Sequence, residues 1–497
     1  MYTTGVVTMV SFVYPPSAAV FPRRSVALRR PAAQVRRCRR TSPPVARFSI
    51  EVLPSIDDIS ADEWHSVLTP ADSPFLYHDF LSMLEQTGCT TRATGWKPRH
   101  VLLRDVGDRD VGGGGNGEPP SPPVGELVGA AVAFEKMHSM GEFTFDQGWA
   151  EASESAGIRY YPKLLVAAPF SPVPGRRLLV RPDHPRADAL RATLAAALVQ
   201  VAQALSLSSV HVLYIDPAEM PALEALGFLH RLGTRLEWTN AVQTPGPRMG
   251  QPYSSYTDFL GEFRSKKRSK MLRERRAVTD GAGLDVRVLE GNAIPDGALD
   301  AMFKLYVATL HKKWPYGRQY LTWSFFNALK SSLWKRHLVL ALAYRRNKDG
   351  AAPADDEEDA IVAGTLSVVN HESGVLSGRY WGALEDISHA HFELCYAAPV
   401  EWAIERGLRV MEAGAGGEET KSERGFEAVP CSSGHWVAHR GLREAVREFL
   451  VGEREAVGEV VAVMEATSKL REKGRVAAAE AEAAALRGVA ETVEPRG

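Results

Sequence analysis

Apolar positions along the chain come in short runs bounded by Gly, Pro and polar clusters, alternating with stretches of helical period. Strand-like runs occupy residues 100–103, 126–134, 338–344 and 360–369. The first two flank a Gly/Pro-rich segment (107–125), the last two an Ala/acid-rich one (347–359). Neither segment holds the apolar residues a core needs, so each pair predicts a hairpin with an enlarged tip. A short aromatic strand follows each hairpin, at 159–161 and 379–381. Then come a helix (186–205; 389–406), a β-rich run (210–215; 408–412), a short helical segment ending in Gly-Phe, and a last strand carrying Trp238 or Trp436.

Equivalent residues keep one offset. Val212 and Val410, Gly227 and Gly425, and Trp238 and Trp436 are each 198 positions apart. Element order and offset together predict a duplicated α/β unit of about 200 residues. The turn-rich stretch 244–252 divides the copies, placing domains at 48–245 and 246–455. Residues 456–497, rich in Ala, Glu and Arg, predict a helical tail.

Composition changes this picture at the N-terminus. The 497 residues are 45% hydrophobic and 24% charged with net charge -1, which excludes collagen-like, wholly disordered and disulfide-scaffold proteins. Residues 1–50, however, hold nine arginines and no Asp, Glu or Lys. That composition predicts a disordered organelle transit peptide over 1–47, for the chloroplast or alternatively the mitochondrion. A basic nucleic-acid-binding arm is the other reading. Without those nine charges the remainder stands at -10, which argues against a general nucleic-acid coat. Cys38, Cys89, Cys395 and Cys431 are widely spaced, which predicts a reducing compartment and no metal site. No apolar stretch is long enough to predict a membrane span.

Several strings carry a resemblance. They are Lys136-Met137-His138-Ser139-Met140-Gly141-Glu142-Phe143-Thr144-Phe145-Asp146 with Trp149-Ala150, Tyr160-Tyr161-Pro162-Lys163-Leu164-Leu165, Gly378-Arg379-Tyr380-Trp381-Gly382, His391-Phe392-Glu393-Leu394-Cys395-Tyr396, and Lys421 with Arg424-Gly425-Phe426. In this order, over about residues 60–450, they resemble the Fem-like (FemAB-related) peptidoglycan biosynthesis/recognition family. The resemblance implies a mixed α/β (α+β) fold of two tandem GNAT-like (acyl-CoA N-acyltransferase-like) domains. It implies transfer of an acyl or aminoacyl group to a small-molecule or peptide amine. Acyl-CoA or aminoacyl-tRNA is then a co-substrate, tRNA a partner, and no cofactor is bound permanently. Two departures stand out. The family's second-half loop reads Gly-Ala-Gln-Gly-Glu-His-Lys, whereas residues 414–421 read Gly-Ala-Gly-Gly-Glu-Glu-Thr-Lys. The phosphate-cradling turn of CoA-dependent relatives is missing at 179–185 and 382–389, which weighs against acetyl-CoA.

Acyl transfer to an amine needs a base, stabilisation of the carbonyl oxygen and positioning of two reactants. His391, Glu393 and Glu412 are the catalytic candidates, with a helix-start pairing as the alternative role for His391. Cys395, four residues on, reads as a buried hydrophobe before it reads as a nucleophile. Substrate-binding candidates are His138, Ser139, Glu142, Asp146 and Lys163 in the first half, and Arg379, Tyr380, Glu418, Lys421 and Arg424 in the second. The alternative for His138, Ser139, Glu142 and Asp146 is the wet face of a strand, for Lys163 a snorkelling surface lysine, and for the loop acids and cations local ion pairs. Residues 264–276 hold eight basic residues and one acid. With Phe259, Phe263, Met271 and Val278 on one side, they predict a basic amphipathic helix over 259–278, and Lys266, Lys267, Arg268, Lys270 and Arg273 become anion-binding candidates. Trp314, Tyr316, Tyr320, Trp323, Phe325 and Phe326 predict core or a groove wall. Two rivals to acyl transfer remain: a non-catalytic RNA- or polyanion-binding protein on this scaffold, and a CoA-dependent N-acetyltransferase.

Overall fold

A computed structural model describes residues 48–107, 125–313, 319–414, 418–467 and 470. The predicted transit segment, most of the first hairpin tip, Cys38, Trp314, Tyr316 and the tail beyond 470 lie outside the described residues. The first half contributes β1 (Phe48–Leu53), β2 (Trp96–Pro98), β3 (His100–Asp105), β4 (Glu126–Ala131), β5 (Ala133–Lys136), β6 (Lys163–Val166), β7 (Leu179–Val180), β8 (Ser209–Ile215) and β9 (Leu229–Thr239). The second contributes β10 (Leu284–Glu290), β11 (Leu338–Arg345), β12 (Ile361–Asn370), β13 (Val375–Ala383), β14 (Val410–Glu412) and β15 (Glu427–Val437).

β1-β3-β4-β7 form a small sheet. The large sheet runs β10-β11-β12-β13-β14-β9-β15-β8-β6-β5-β2. Each half is GNAT-like: antiparallel strands lead to a parallel pair, β6 with β8 and β13 with β14. Each half then sends its last strand across. β9 pairs with β14 of the second half, and β15 pairs with β8 of the first. At the centre β9 and β15 pair antiparallel with Gly233 opposite Cys431, its own equivalent 198 residues later. A pseudo-twofold axis therefore passes between these two residues. Gly227 (φ 82) and Gly425 (φ 83) share the same left-handed conformation where each short helical segment ends, which favours glycine there.

The helices cover the sheet with apolar stripes. Helix Ala187–Ala204 buries Leu190, Leu194, Leu198 and Val201 at three- and four-residue spacing against Val210 and Val212 of β8. Full burial of such side chains stabilises by roughly 1.5–3 kcal/mol each. Phe325 and Phe326 are core, Tyr320 stacks on Phe170 (centroids 5.2 Å apart), and Trp323 is exposed.

Three elements differ from expectation. The strand expected at 159–161 begins instead at Lys163, after Pro162, which has no N–H for a ladder. The helix expected over 259–278 is divided into Tyr256–Gly261 and Ser265–Arg276, followed by a π-turn at Ala277–Gly281. Between the two helices Phe263 makes an antiparallel bridge to Leu470, and the Glu262 carboxylate accepts from Gln243 N and Thr244 N (3.1 and 2.9 Å). Phe259, Phe263, Met271 and Val278 are nevertheless all buried. The tail is not separate: helix Arg440–Thr467 begins on Trp149, Tyr160 and Leu229 through Leu442, Val446 and Leu450, then runs on past 456.

Candidate active site at the pseudo-twofold axis

Strand alternation puts Arg231, Gly233 and Arg235 on one face of β9. Opposite them stand Ser433, Cys431 and Val429 of β15. Beside this pair β13 and β14 part company. Their parallel ladder covers only Val375–Ser377 and Val410–Glu412. Glycines allow the chains to pass there: a Cβ on Gly414 (φ +73) would lie 2.9 Å from Gly378 O. The result is a cavity of about 300 Å³ on the axis, walled by both halves and by Glu453 and Val457 of the long C-terminal helix. A second cavity, of about 550 Å³, shares Val173, Arg235, Ser377 and Glu412 with it.

Glu412 stands where the cavities meet. Ser377 Oγ donates to its Oε2 (3.0 Å) and Arg235 Nη1 lies 3.3 Å from its Oε1. Burial raises its pKa, against the opposing pull of Arg235 and Ser377. Arg231 binds Glu453 through two hydrogen bonds (2.8 and 2.6 Å), and Arg235 also donates to Glu237. Arg379 reaches from β13 to donate to Phe170 O of the first half. Lys421 donates to Gly414 O at 2.6 Å, and Tyr214 to Phe143 O at 2.6 Å. Burial raises the Cys431 thiol's pKa, so this residue is a poor nucleophile.

Of the catalytic candidates, the cleft receives Glu412 alone. Glu393 opens a π-turn and lines a different small pocket with Tyr256, Arg275, Phe392 and Arg424. Its Oε1 lies 3.1 Å from Arg275 Nε, and burial pushes its pKa up to about 7. His391 packs among the rings of Trp381, Phe392 and Tyr396. Of the substrate candidates, the fold brings Arg379 and Lys421 to the cleft. Tyr380 packs on Tyr306, and Arg424 stacks on Phe392 and pairs with Glu274 (2.8 Å). The Glu418 side chain lies outside the described residues.

The first-half candidates converge on one point, but it is closed. Lys163 Nζ, wholly buried, donates to Ser139 Oγ (2.8 Å), Glu142 Oε2 (2.8 Å) and Asp146 Oδ2 (2.5 Å). Tyr160 OH adds 2.6 Å to Asp146, Tyr161 OH lies 2.7 Å from Ser139, and His211 Nδ1 lies 3.5 Å from Asp146. Burial opposes the Lys163 charge, but Glu142 and Asp146 hold its pKa up. Burial drives His211 and His435 well down, so both rings are neutral. His138 Nε2 lies 2.9 Å from Thr94 O, outside this cluster's centre. Glu142, Asp146 and His211 place three ligand atoms within 4.8 Å of one another, yet the Lys163 ammonium already bridges the two carboxylates. The cluster anchors the loop that presents Phe143, Thr144 and Phe145 to the cleft.

On helix Ser265–Arg276, Lys267 pairs with Glu423 (2.7 Å) and Lys270 with Glu274 (3.7 Å). Arg264, Lys266, Arg268, Arg273 and Arg276 have no carboxylate partner among the described residues. Sequence reasoning missed Arg231, Arg235, Ser377 and Glu453. A usable signal existed for two of them: charges alternating about a glycine in a strand of the duplicated unit.

The chain is similar to several solved structures. They include FemX (13% identity, 78% of this chain and 98% of that one, TM-score 0.44) and L-PGS from Bacillus licheniformis (14%, 60% and 83%, 0.38). A tandem GNAT protein from the clavulanic acid biosynthesis pathway is a third (13%, 79% and 99%, 0.38). A search of curated proteins found no match. Residues 55–472 match a family defined as peptidoglycan biosynthesis/recognition, and over that span the chain belongs to the FemAB-like family.

Proposed function

We propose that this protein transfers an acyl group, and in the first instance an aminoacyl group, to an amine held in the cleft between its halves. One observation carries this reading: two cavities meet on one half-buried carboxylate, Glu412, with Ser377 and Arg235 in the shared wall. A reaction between two substrates needs such a meeting point, because holding them together in the right geometry removes a large part of the barrier. The amine nitrogen attacks the donor's carbonyl carbon and a C–N bond forms. Glu412 takes the proton that the nitrogen loses. When the intermediate collapses, the carbon–oxygen bond of an ester (or the carbon–sulfur bond of a thioester) breaks, and the leaving atom takes that proton. Burial makes Glu412 a stronger base, and Ser377 and Arg235 fix its two oxygens. A positioned base contributes on the order of 10²–10⁴ in rate. Family membership supports the acyl-transfer class and favours an aminoacyl-tRNA donor over acyl-CoA.

The unpaired cations of helix Ser265–Arg276 favour a second reading, polyanion binding without turnover. One experiment separates the two. The full chain is incubated with bulk labelled aminoacyl-tRNA or labelled acetyl-CoA and a mixture of small peptide amines. Label moves to an amine in the wild type, and Glu412→Gln lowers the rate on the order of 10²–10⁴ with an unchanged melting temperature. Salt-sensitive tRNA binding with no transfer from either donor overturns the enzyme reading.

A further inference from the structure

Three buried guanidinium N–H atoms have no hydrogen-bond partner among the described residues: Arg231 Nη1, Arg235 Nε and Arg379 Nε. All three belong to the wall of the same cavity. A buried donor without an acceptor is costly, and folded proteins leave few. Arg379 is the extreme case. It has no carboxylate partner among the described residues, and its guanidinium sits among the rings of Phe75, Phe143 and Tyr380 at 5.5–5.8 Å. Burial lowers its pKa, as expected for a cation short of a counter-charge. The cavity wall as a whole carries Arg231, Arg235, Arg379 and Lys421 against Glu412 and Glu453. The fold satisfies buried cations elsewhere, since Lys163 has three acceptors. Other buried polar atoms without a partner, such as Trp149 Nε1 and Trp238 Nε1, occur elsewhere, but among the described residues the unpartnered buried guanidinium atoms all belong to the cleft.

We infer that the amine substrate of this cleft also carries a carboxylate or phosphate group, which accepts hydrogen bonds from Arg379 with Arg231 and Arg235. Guanidinium groups match the planar, two-oxygen geometry of those anions better than any other side chain. At about 300 Å³ the cavity suits a small molecule or the end of a peptide, not a polymer. The inference rests on the transfer reading and names the substrate class for that same site.

The test is thermal melting of the full chain at constant ionic strength. Sodium chloride is replaced in one arm by sodium phosphate and pyrophosphate, and in the other by sodium acetate and succinate. A rise of about 2 °C or more in either arm is expected, and the responding arm identifies the anion. Arg379→Met melts at or above the wild type without anion, because an unpaired buried charge has gone, and it loses the rise. Arg379→Lys, which keeps the charge but not the fork, weakens binding at least about tenfold. No rise in either arm overturns the inference, as does an equal rise in Arg379→Met. Should Arg379→Met fail to fold, a wild-type rise retained in Arg379→Lys overturns it. Glu412→Gln separates the two readings, since it abolishes transfer and keeps the anion-induced rise. Measured transfer without any anion effect sinks this inference alone.

Discussion

Lys163 and Arg379 are both cations held inside the protein, one in each half. Around Lys163 the chain supplies three acceptors, two tyrosine hydroxyls and no opening. Around Arg379 it supplies one backbone carbonyl, the Tyr380 hydroxyl, three aromatic faces and a cavity, but no carboxylate partner among the described residues. The comparison separates two uses of buried charge. Where the chain saturates the cation and leaves no cavity beside it, the network fixes a loop, even though Glu142 Oε1 and Asp146 Oδ1 have no hydrogen-bond partner among the described residues. A network left open toward a cavity leaves donors for something that is not part of the chain. Similar side chains serve both purposes, so residue type alone does not distinguish them.

The sharpest way to break this comparison is to exchange effects between the two sites. Glu412→Gln is expected to cost on the order of 10²–10⁴ in transfer rate and to leave the unfolding free energy within about 1 kcal/mol, read by labelled transfer and urea denaturation. Lys163→Met should do the reverse to stability. It takes the bridging cation from the buried Glu142 and Asp146 and leaves only Lys136, 3.9 Å from Glu142, at a cost of roughly 3–5 kcal/mol in the same denaturation experiment. If Lys163→Met is neutral, the cluster is not structural and the contrast fails.

Glu393 asks whether burial alone makes a site. Its folded pKa, about 7, lies above the ordinary glutamate value of 4.5. Its protonated form is thus favoured by folding. That contribution is complete below pH 4.5 and is lost as pH rises through 7, on the order of 3 kcal/mol over the window. Glu393→Gln should flatten stability between pH 4.5 and 7 and leave transfer unchanged. A collapse of transfer in Glu393→Gln returns Glu393 to the catalytic candidates. The smallest expected effect is that of Ser377→Ala, which removes one hydrogen bond from Glu412. It should lower transfer by about tenfold or less and move the alkaline-side plateau of the rate–pH profile upward in pH.

Much of the fold was legible along the chain because its signals are local. The offset of 198 between Gly227 and Gly425 reports two segments that end in the same left-handed turn. The stripe Phe259, Phe263, Met271 and Val278 found the core, although the helix carrying it breaks where Phe263 meets Leu470. The site was legible only in part. Glu412 and Lys421 were found as polar residues ending or following a strand, and Arg379 through the string 378–382 that carries the family resemblance. Arg231, Arg235, Ser377 and Glu453 were not, because each reaches the cleft through a partner strand or helix distant in sequence.

By itself the sequence determined the duplication, the class of fold, the family and the existence of polar clusters in each half. Period, composition and repeated strings are properties of neighbours along the chain. Tertiary structure alone decided that the halves exchange their last strands and place Gly233 against Cys431 on a shared axis. It also decided that the Lys163 cluster is sealed while the Glu412 cluster faces a cavity. The physical reason is that burial and hydrogen-bond satisfaction are sums over everything packed around a group. For these groups, most of that packing comes from residues tens to hundreds of positions away.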